Sequence, residues 1–355
     1  MDTMKIGVCV LVVLSLMAFM VGLPIAAVAE PSATIKLGHV APPFHGQSKG
    51  VDAFAAYIKE KTDGRIDIVT FPMGQLGGER SMAEQVQMGT LQIAAISSAV
   101  LQNFVPQAAI LDMPFIFPDR ETAYATLDDP EVQKKIFSYF PKKGFMAIGW
   151  TENEFRDFTN NKRPVRKPSD IKGLKVRVMN SPVYLDTFRQ LGASPEVIPF
   201  PEIYHALQTG LIDAQESPIL TSVLMKFTEI TKNVTLTHHS LTECIIVVTP
   251  DYWETLSPED QQTFRDAARV AVDTNRRVNA ELHNKLPKSG ISITEYYKKS
   301  GIEVVDLTPE ERDSFQKAMV PVWNKYRKKI GNEIFDFMLT KIEEHQQEIS
   351  ASYLK

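Results

Sequence analysis

Hydrophobic and polar positions change period repeatedly along the chain. Ala33 to Val40, ATIKLGHV, reads as a strand. Gly50 to Thr62, GVDAFAAYIKEKT, carries Val51, Phe54, Tyr57 and Ile58 at the spacing of one helix face. After the Asp63-Gly64 turn, RIDIVTF predicts a second strand. Leu76 to Ser98, LGGERSMAEQVQMGTLQIAAISS, predicts a loop, a helix stopped at Gly89 and a short strand. Strands alternating with helices predict an α/β domain with a largely parallel sheet.

A weak internal echo predicts a second domain on similar lines. Glu84 to Ser98 and His205 to Ser217 (HALQTGLIDAQES) both combine a helix end, a helix-stopping glycine and a short strand with a polar end. In the second copy Pro201 suits the first helical turn, Tyr204 and Leu207 are spaced for one buried face, and Gly210 suits the C-terminal cap. The C-terminal third is strongly helical. Ser257 followed by Pro258, Glu259 and Asp260 predicts a capped helix continuing through Phe264, Ala268 and Val272, and Thr308 caps another after the strand in GIEVVDL. The amphipathic stretch to Lys355 is expected to pack outside the sheets.

One strand carries a chemical question. In IKGLKVRVMNSP, Ile171 to Pro182, the apolar Leu174, Val176 and Val178 alternate with the cationic Lys175 and Arg177. A strand sandwiched between two helix layers is apolar on both faces, so this one has a side open to water or to a cleft. Asn180 or Ser181 can cap a following helix that begins at Pro182, with Tyr184, Phe188 and Leu191 as its apolar face. Ligands of open α/β sheets bind beyond the carboxyl ends of strands, where Arg177 would add a two-pronged donor for a carboxylate or sulfonate. Spacing alone leaves a solvated edge-strand arginine equally open; Lys175 fits that role.

Composition narrows the classes. With 355 residues, 44% hydrophobic and 23% charged, the chain suits two globular domains, and its net charge of −4 offers no general attraction to nucleic acid or anionic lipid. Residues 1–29 read as a signal peptide: Ile6 to Ala29 is uncharged and ends in Ala27-Val28-Ala29, so cleavage is expected after Ala29, with an uncleaved anchor as the alternative. The mature chain would keep only Cys244, which rules out an internal disulfide and suits a buried apolar position. G-x-S-x-G and H-E-x-x-H are absent, and the adjacent His238 and His239 would point to opposite faces of a strand, so neither a hydrolase nor a metal site is expected. No cofactor is expected.

IKGLKVRVMNSP, PFPEIYHALQTGLIDAQESP, EKTDGRIDIVTFPMGQLGGERSMAEQVQMGTLQIAAISS and MPFIF, spread in order over essentially the whole mature chain, together resemble the periplasmic solute receptors of tripartite ATP-independent (TRAP) transporters, the DctP-like family. The resemblance implies a two-lobed periplasmic binding protein fold of α/β class, with hinge strands and a long C-terminal helical region. It places lobe I at residues 30–154 plus about 243–284, lobe II at 155–242 plus about 285–340, and a helical tail at 341–355. It implies a periplasmic monomer that captures a small organic anion between the lobes and delivers it to the TRAP membrane permease, with no enzymatic activity and no nucleic-acid partner. A receptor for an ATP-driven importer or a sensor uses the same cleft physics and is the alternative, ahead of a secreted hydrolase.

The resemblance also implies residue roles. Arg177 would pair with the ligand's carboxylate, Arg156 in NEFRDFTNN would be the second arginine, and Phe200 would cover the ligand's carbon skeleton. Where the commoner family ending is DGQENP, this chain reads Asp213-Ala214-Gln215-Glu216-Ser217-Pro218, so Ser217 offers one hydroxyl where an amide usually contacts the acid group. A different acid group or a bridging water would fit that change. His39 and His45 in GHVAPPFHG, Glu79, Arg80, Ser97, Ser98 and Trp150 lie where such clefts collect specificity, and ordinary loop or core roles are open for each.

Overall fold

The computed structural model describes residues 34–353. The expected signal peptide and its cleavage point lie outside them. Nine strands form one sheet: β1 (Ile35–Gly38), β2 (Ile68–Phe71), β3 (Ile93–Ser97), β4 (Met146–Asn160), β5 (Lys175–Val178), β6 (Ser194–Val197), β7 (Ala214–Ser217), β8 (Asn233–Val248) and β9 (Glu303–Asp306). Their order is β2-β1-β3-β8-β4-β7-β5-β6, with β9 beside β8.

The two long strands explain the two-lobed shape. At one end the parallel β2, β1 and β3 join β8 through the antiparallel register Ile93↔Val248 to Ser97↔Cys244. At the other end β4 pairs β7 through Asp157↔Ser217 to Asn160↔Ala214, and β7, β5 and β6 run parallel. β4 and β8 pair with each other from Met146↔Val248 to Asn160↔Asn233 and so pass through both lobes. Their register shifts between Glu152 and Phe155 and again between Arg156 and Phe158. Glu154 (φ 56°) and His238 (φ 43°) adopt left-handed backbone beside those shifts. Bulges of this kind bend a strand and re-aim its side chains, which suits a crossing between lobes.

Local chemistry accounts for the flanking helices. Helix Gly46–Lys61 buries Val51, Phe54 and Ile58, leaving Tyr57 only partly covered, against the long helix Pro258–Asn284, with the Phe54 and Phe264 rings 5.7 Å apart and perpendicular. The two backbones approach so closely that a Cβ on Gly50 would meet the Ala271 carbonyl oxygen at 2.5 Å, so only glycine fits. Ser257 caps the long helix as its sequence predicts, and Thr308 with Glu311 forms a capping box at Pro309–Ala318.

One predicted face differs. A 3₁₀ turn over Phe200–Glu202 precedes the α-helix Ile203–Gln208. Ile203, Ala206 and Leu207 are buried, whereas Tyr204 stays partly exposed and donates to Glu229 Oε2 at 2.8 Å. The last helix, Asn332–Ser352, buries Ile334, Phe335, Met338 and Ile342, and packs outside the sheet on helix Arg120–Asp128. Among the described residues no helix is long and apolar enough to cross a membrane.

Candidate ligand cleft

β5 settles the question its alternation raises. Val176 and Val178 are fully buried in the core and Lys175 is exposed, yet Arg177 on the Lys175 face is only 3% exposed. Its side chain therefore meets protein rather than bulk water. Helix Pro182–Gln190 follows, with the Ser181 hydroxyl accepting from the Tyr184 amide at 3.1 Å and Pro182 in the first turn. Arg177 Nε donates to the Ile198 carbonyl at 2.9 Å, which fixes the guanidinium plane against β6's end. Among the described residues no carboxylate lies within ion-pair distance of it. Burial lowers its pKa to about 10, with Arg156 adding to the drop and Glu216 and Glu79 opposing it, so it stays cationic at neutral pH.

Arg156 is held in the opposite way. It stands on β4 across from Ser240 of β8, is 2% exposed, and binds Glu216 of β7 twice: Nε to the carboxylate and one terminal nitrogen to the Glu216 carbonyl oxygen. Its guanidinium also lies 5.5 Å from the centre of the Tyr184 ring. Burial disfavours the charge, but Glu216 outweighs it and raises the Arg156 pKa. Burial would likewise raise the Glu216 pKa, but Arg156 and the His239 ring, 3.6 Å away, hold it below the usual carboxylate range.

Arg156 and Arg177 meet at a partly open cavity of ≈ 30 Å³ between the lobes. Glu79, Phe200 and Ser217 line it too, together with His45, Gln47, Asn153, Met179, Thr221 and Cys244. It adjoins an outer pocket of ≈ 370 Å³, and Arg177, Glu79, Phe200, Met179 and Val40 belong to both. Arg80 and Asn180 border only the outer one. Glu79 opens helix Glu79–Gln87 and accepts the Ser97 amide at 2.7 Å, which joins that helix to the end of β3. Burial raises the Glu79 pKa, against the pull of the Ser97 amide and of both arginines. The Phe200 ring is held edge-on by Phe227 at 6.3 Å.

Five sequence candidates stand outside the linings of both the cavity and the outer pocket. Glu216 is spent on Arg156. Ser97 contributes its backbone to Glu79. His39 is fully buried and neutral, its pKa lowered to about 4 by burial, and only its neighbours Val40, Ala41 and Pro42 reach the cavity. Trp150 is core: it packs edge-on against Phe137 at 5.1 Å, because its position on β4 faces helix Pro130–Phe137 rather than the lobe boundary. Ser98 is buried at the start of the short helix after β3 and lies outside the lining as well. Gln47, Asn153, Met179 and Thr221 went unnoticed in the sequence. Gln47 and Met179 had a signal, since the one lies in the first turn of the helix after the first strand and the other directly follows the carboxyl end of β5.

Two parallel-stranded lobes threaded by two long strands, with an uncompensated cation facing a cavity at their junction, define a cleft-type solute-binding protein. The chain belongs to the bacterial extracellular solute-binding proteins, family 7 (DctP), the description that matches residues 37–329. It is 36% identical over 286 residues to a solute-binding protein of Verminephrobacter eiseniae, 80% of this chain and 82% of that one. It resembles a TRAP periplasmic solute-binding protein from Polaromonas sp. JS666 bound to D-erythronate, at TM-score 0.79 and 34% identity over 87% of this chain and 98% of that one. It also resembles one from Sulfurospirillum deleyianum with bound succinate, at TM-score 0.79 and 31% identity over 88% and 99%. The DctP-like TRAP resemblance and the two-lobed fold implied by the sequence both hold. This is a family of solute receptors rather than of enzymes.

Proposed function

We propose that the chain is a periplasmic receptor that captures a small organic carboxylate at the cavity between its lobes and hands it to a TRAP-type permease driven by an ion gradient. The observation that carries this reading is the contrast in charge compensation. Arg156 already has a carboxylate, whereas Arg177 has one backbone carbonyl and no counter-ion among the described residues. A buried cation without a partner is costly unless something pairs with it, and a ligand carboxylate fits the two free guanidinium nitrogens. The solved relatives that hold erythronate and succinate support an acid as the solute.

Closure supplies the rest of the mechanism. An open form lets the anion reach Arg177; as the lobes shut, water leaves and the ion pair strengthens in the lower dielectric. Phe200 and Met179 then cover the carbon skeleton, and Ser217 offers a hydroxyl to the acid group. Only contacts that improve on closing can shift the balance toward the closed form. The lobes in this reading comprise residues 30–154 with about 243–284 and 155–242 with about 285–340. That division follows the strands: Cys244 to Val248 pair β3, whereas Asn233 to Leu236 pair β9. Export with cleavage after Ala29 completes the reading, and mass spectrometry of the exported protein reads that site directly.

The test is titration calorimetry after a thermal-shift screen of organic anions, since a ligand of the folded form raises the melting temperature. Arg177→Ala is expected to weaken binding by roughly 2 to 5 kcal/mol, about thirtyfold to a few thousandfold. Near-native affinity in that variant removes Arg177 from the site. Turnover of a bound acid would favour a hydrolase instead.

A further inference from the structure

His45 is the group that the reading above leaves without a task. It is the N-cap of helix Gly46–Lys61, where its Nδ1 accepts the Gln47 amide at 3.2 Å. That bond fixes the tautomer, because a ring nitrogen that accepts cannot carry the proton of a neutral imidazole. Burial lowers its pKa, so the ring is neutral with Nε2 as the donor. His45 is 2% exposed, it lines the cavity, and Nε2 has no hydrogen-bond partner among the described residues. Its position is rigid as well: the Gly46 amide donates to Asn279 Oδ1 at 3.0 Å, and a Cβ on Gly46 would meet that oxygen at 2.3 Å.

Two more polar groups line the same cavity, Thr221 Oγ1 without a partner among the described residues and Gln47 Nε2 with only the Cys244 thiol beside it. Buried donors without acceptors are rare in native structures and imply a missing partner. Glu79 adds an acceptor: one carboxylate oxygen takes the Ser97 amide, and the side chain lines both the inner cavity and the outer pocket. Beyond the two arginines, the cavity thus presents neutral donors together with one acid. A hydroxyl group uses both, since it accepts and donates. A second carboxylate uses only the donors, and meets Glu79 either as a like charge or at the cost of a shared proton.

We infer that His45 is a specificity-determining residue whose Nε2–H donates to a hydroxyl oxygen of the ligand, and that the cavity selects hydroxylated monocarboxylic acids over unsubstituted dicarboxylates of the same length. This rests on the reading of Arg177 as the carboxylate anchor. The experiment compares matched probes by calorimetry, erythronate against succinate at four carbons and gluconate against adipate at six, on wild type, Arg177→Ala, His45→Asn and Glu79→Gln.

Asparagine is a good N-cap, so His45→Asn keeps the helix start and the melting temperature while removing the ring donor. The wild type is expected to bind at least one hydroxy acid ten times or more tighter than its matched diacid. His45→Asn should weaken that hydroxy acid about tenfold to a hundredfold and leave the diacid within about threefold, the scale of one lost hydrogen bond against a buried polar group. Glu79→Gln, which removes the acidic acceptor at equal size, should narrow the preference at least tenfold and serves as the second readout if His45→Asn is poorly folded. A wild type that prefers the diacids, or binds none of the hydroxy acids, overturns the inference. Unchanged selectivity in folded His45→Asn, or in Glu79→Gln where the former does not fold, overturns it too. Loss of binding in Arg177→Ala alongside either result leaves the receptor reading standing; unchanged binding in Arg177→Ala removes that reading itself.

Discussion

Two walls of one cavity treat the same side chain in opposite ways. On the β4–β7 wall, Arg156 is locked to Glu216, backed by the His239 ring and laid over Tyr184, so its charge is compensated before any ligand arrives. On the β5 rim, Arg177 has a single backbone carbonyl to orient it and, among the described residues, no carboxylate within ion-pair distance, Glu216 and Glu79 acting on it only from further away. The difference teaches which arginine builds the protein and which one waits. A compensated guanidinium gives shape and rigidity to the crossing strands, whereas an uncompensated one stores a demand that an anion satisfies. Two buried arginines with nearly equal exposure are therefore not equal candidates for a binding role.

Breaking the compensated wall should have the largest effect on the fold. Glu216→Ala leaves Arg156 buried without its partner, and losses of this kind cost about 3 to 5 kcal/mol. Urea unfolding of the ligand-free protein measures it, and a loss under 1 kcal/mol would show that Arg156 is not held as described. The mirror experiment is Arg177→Met, of similar length and no charge. Its ligand-free stability is expected to equal or exceed the wild type, because an unpaired buried cation is removed, while binding falls by roughly 2 to 5 kcal/mol. A destabilised Arg177→Met with intact binding would reverse the roles of the two walls.

The buried groups behind the Arg156 wall add a pH signature. Asp112 accepts from the Tyr184 hydroxyl at 3.0 Å, and burial raises its pKa to about 7, against the pull of its hydrogen bonds and of Arg156. From about pH 4 to about pH 7 the folded protein thus keeps a proton that the unfolded chain releases, so stability falls as pH rises through that window and levels off above it. The slope from this one group is at most about 1.4 kcal/mol per pH unit. Asp112→Asn keeps the acceptor for Tyr184 and carries no titrating proton. Its melting temperature should gain on the wild type steadily from pH 4 to 7; a constant difference over that range would mean that Asp112 is ionised throughout.

What the sequence made legible follows from how far each cause reaches along the chain. The Ser181-Pro182 start, the Thr308 to Glu311 capping box and the strand bearing Arg177 are set by residues a few positions apart, and their patterns stand in the sequence as they stand in the fold. The unequal fates of Arg156 and Arg177 are set by Glu216, 60 positions from Arg156 and brought beside it only by the β4–β7 register. No local pattern carries that. Trp150 fails as a site residue for a related reason: an aromatic on a long strand is apolar whichever face it takes, and bulges further along β4 decide which side chains reach the lobe boundary. Tyr204 shows the smallest scale of the same limit: Leu207, spaced with it, is buried, while Tyr204 sits only partly covered at the edge of that face.

The finest test of the contrast lies at Ser217. Ser217 ends β7, is 2% exposed and lines the cavity between the two arginines' strands, while its neighbour Glu216 is occupied with Arg156. A serine hydroxyl has a shorter reach than an amide and a single proton to give. Ser217→Asn therefore adds a longer donor on the ligand side without touching the Arg156 ion pair. If the acid group sits on Arg177 beside β7, the variant gains one hydrogen bond, worth about 1 kcal/mol, and binds severalfold tighter with its ligand-free melting temperature unchanged. Should the cavity instead have been reshaped around serine, the larger amide collides with the solute and affinity drops. Calorimetry on this variant thus reads the direction in which the acid group points, since only an acid lying between Arg177 and β7 profits from the added reach.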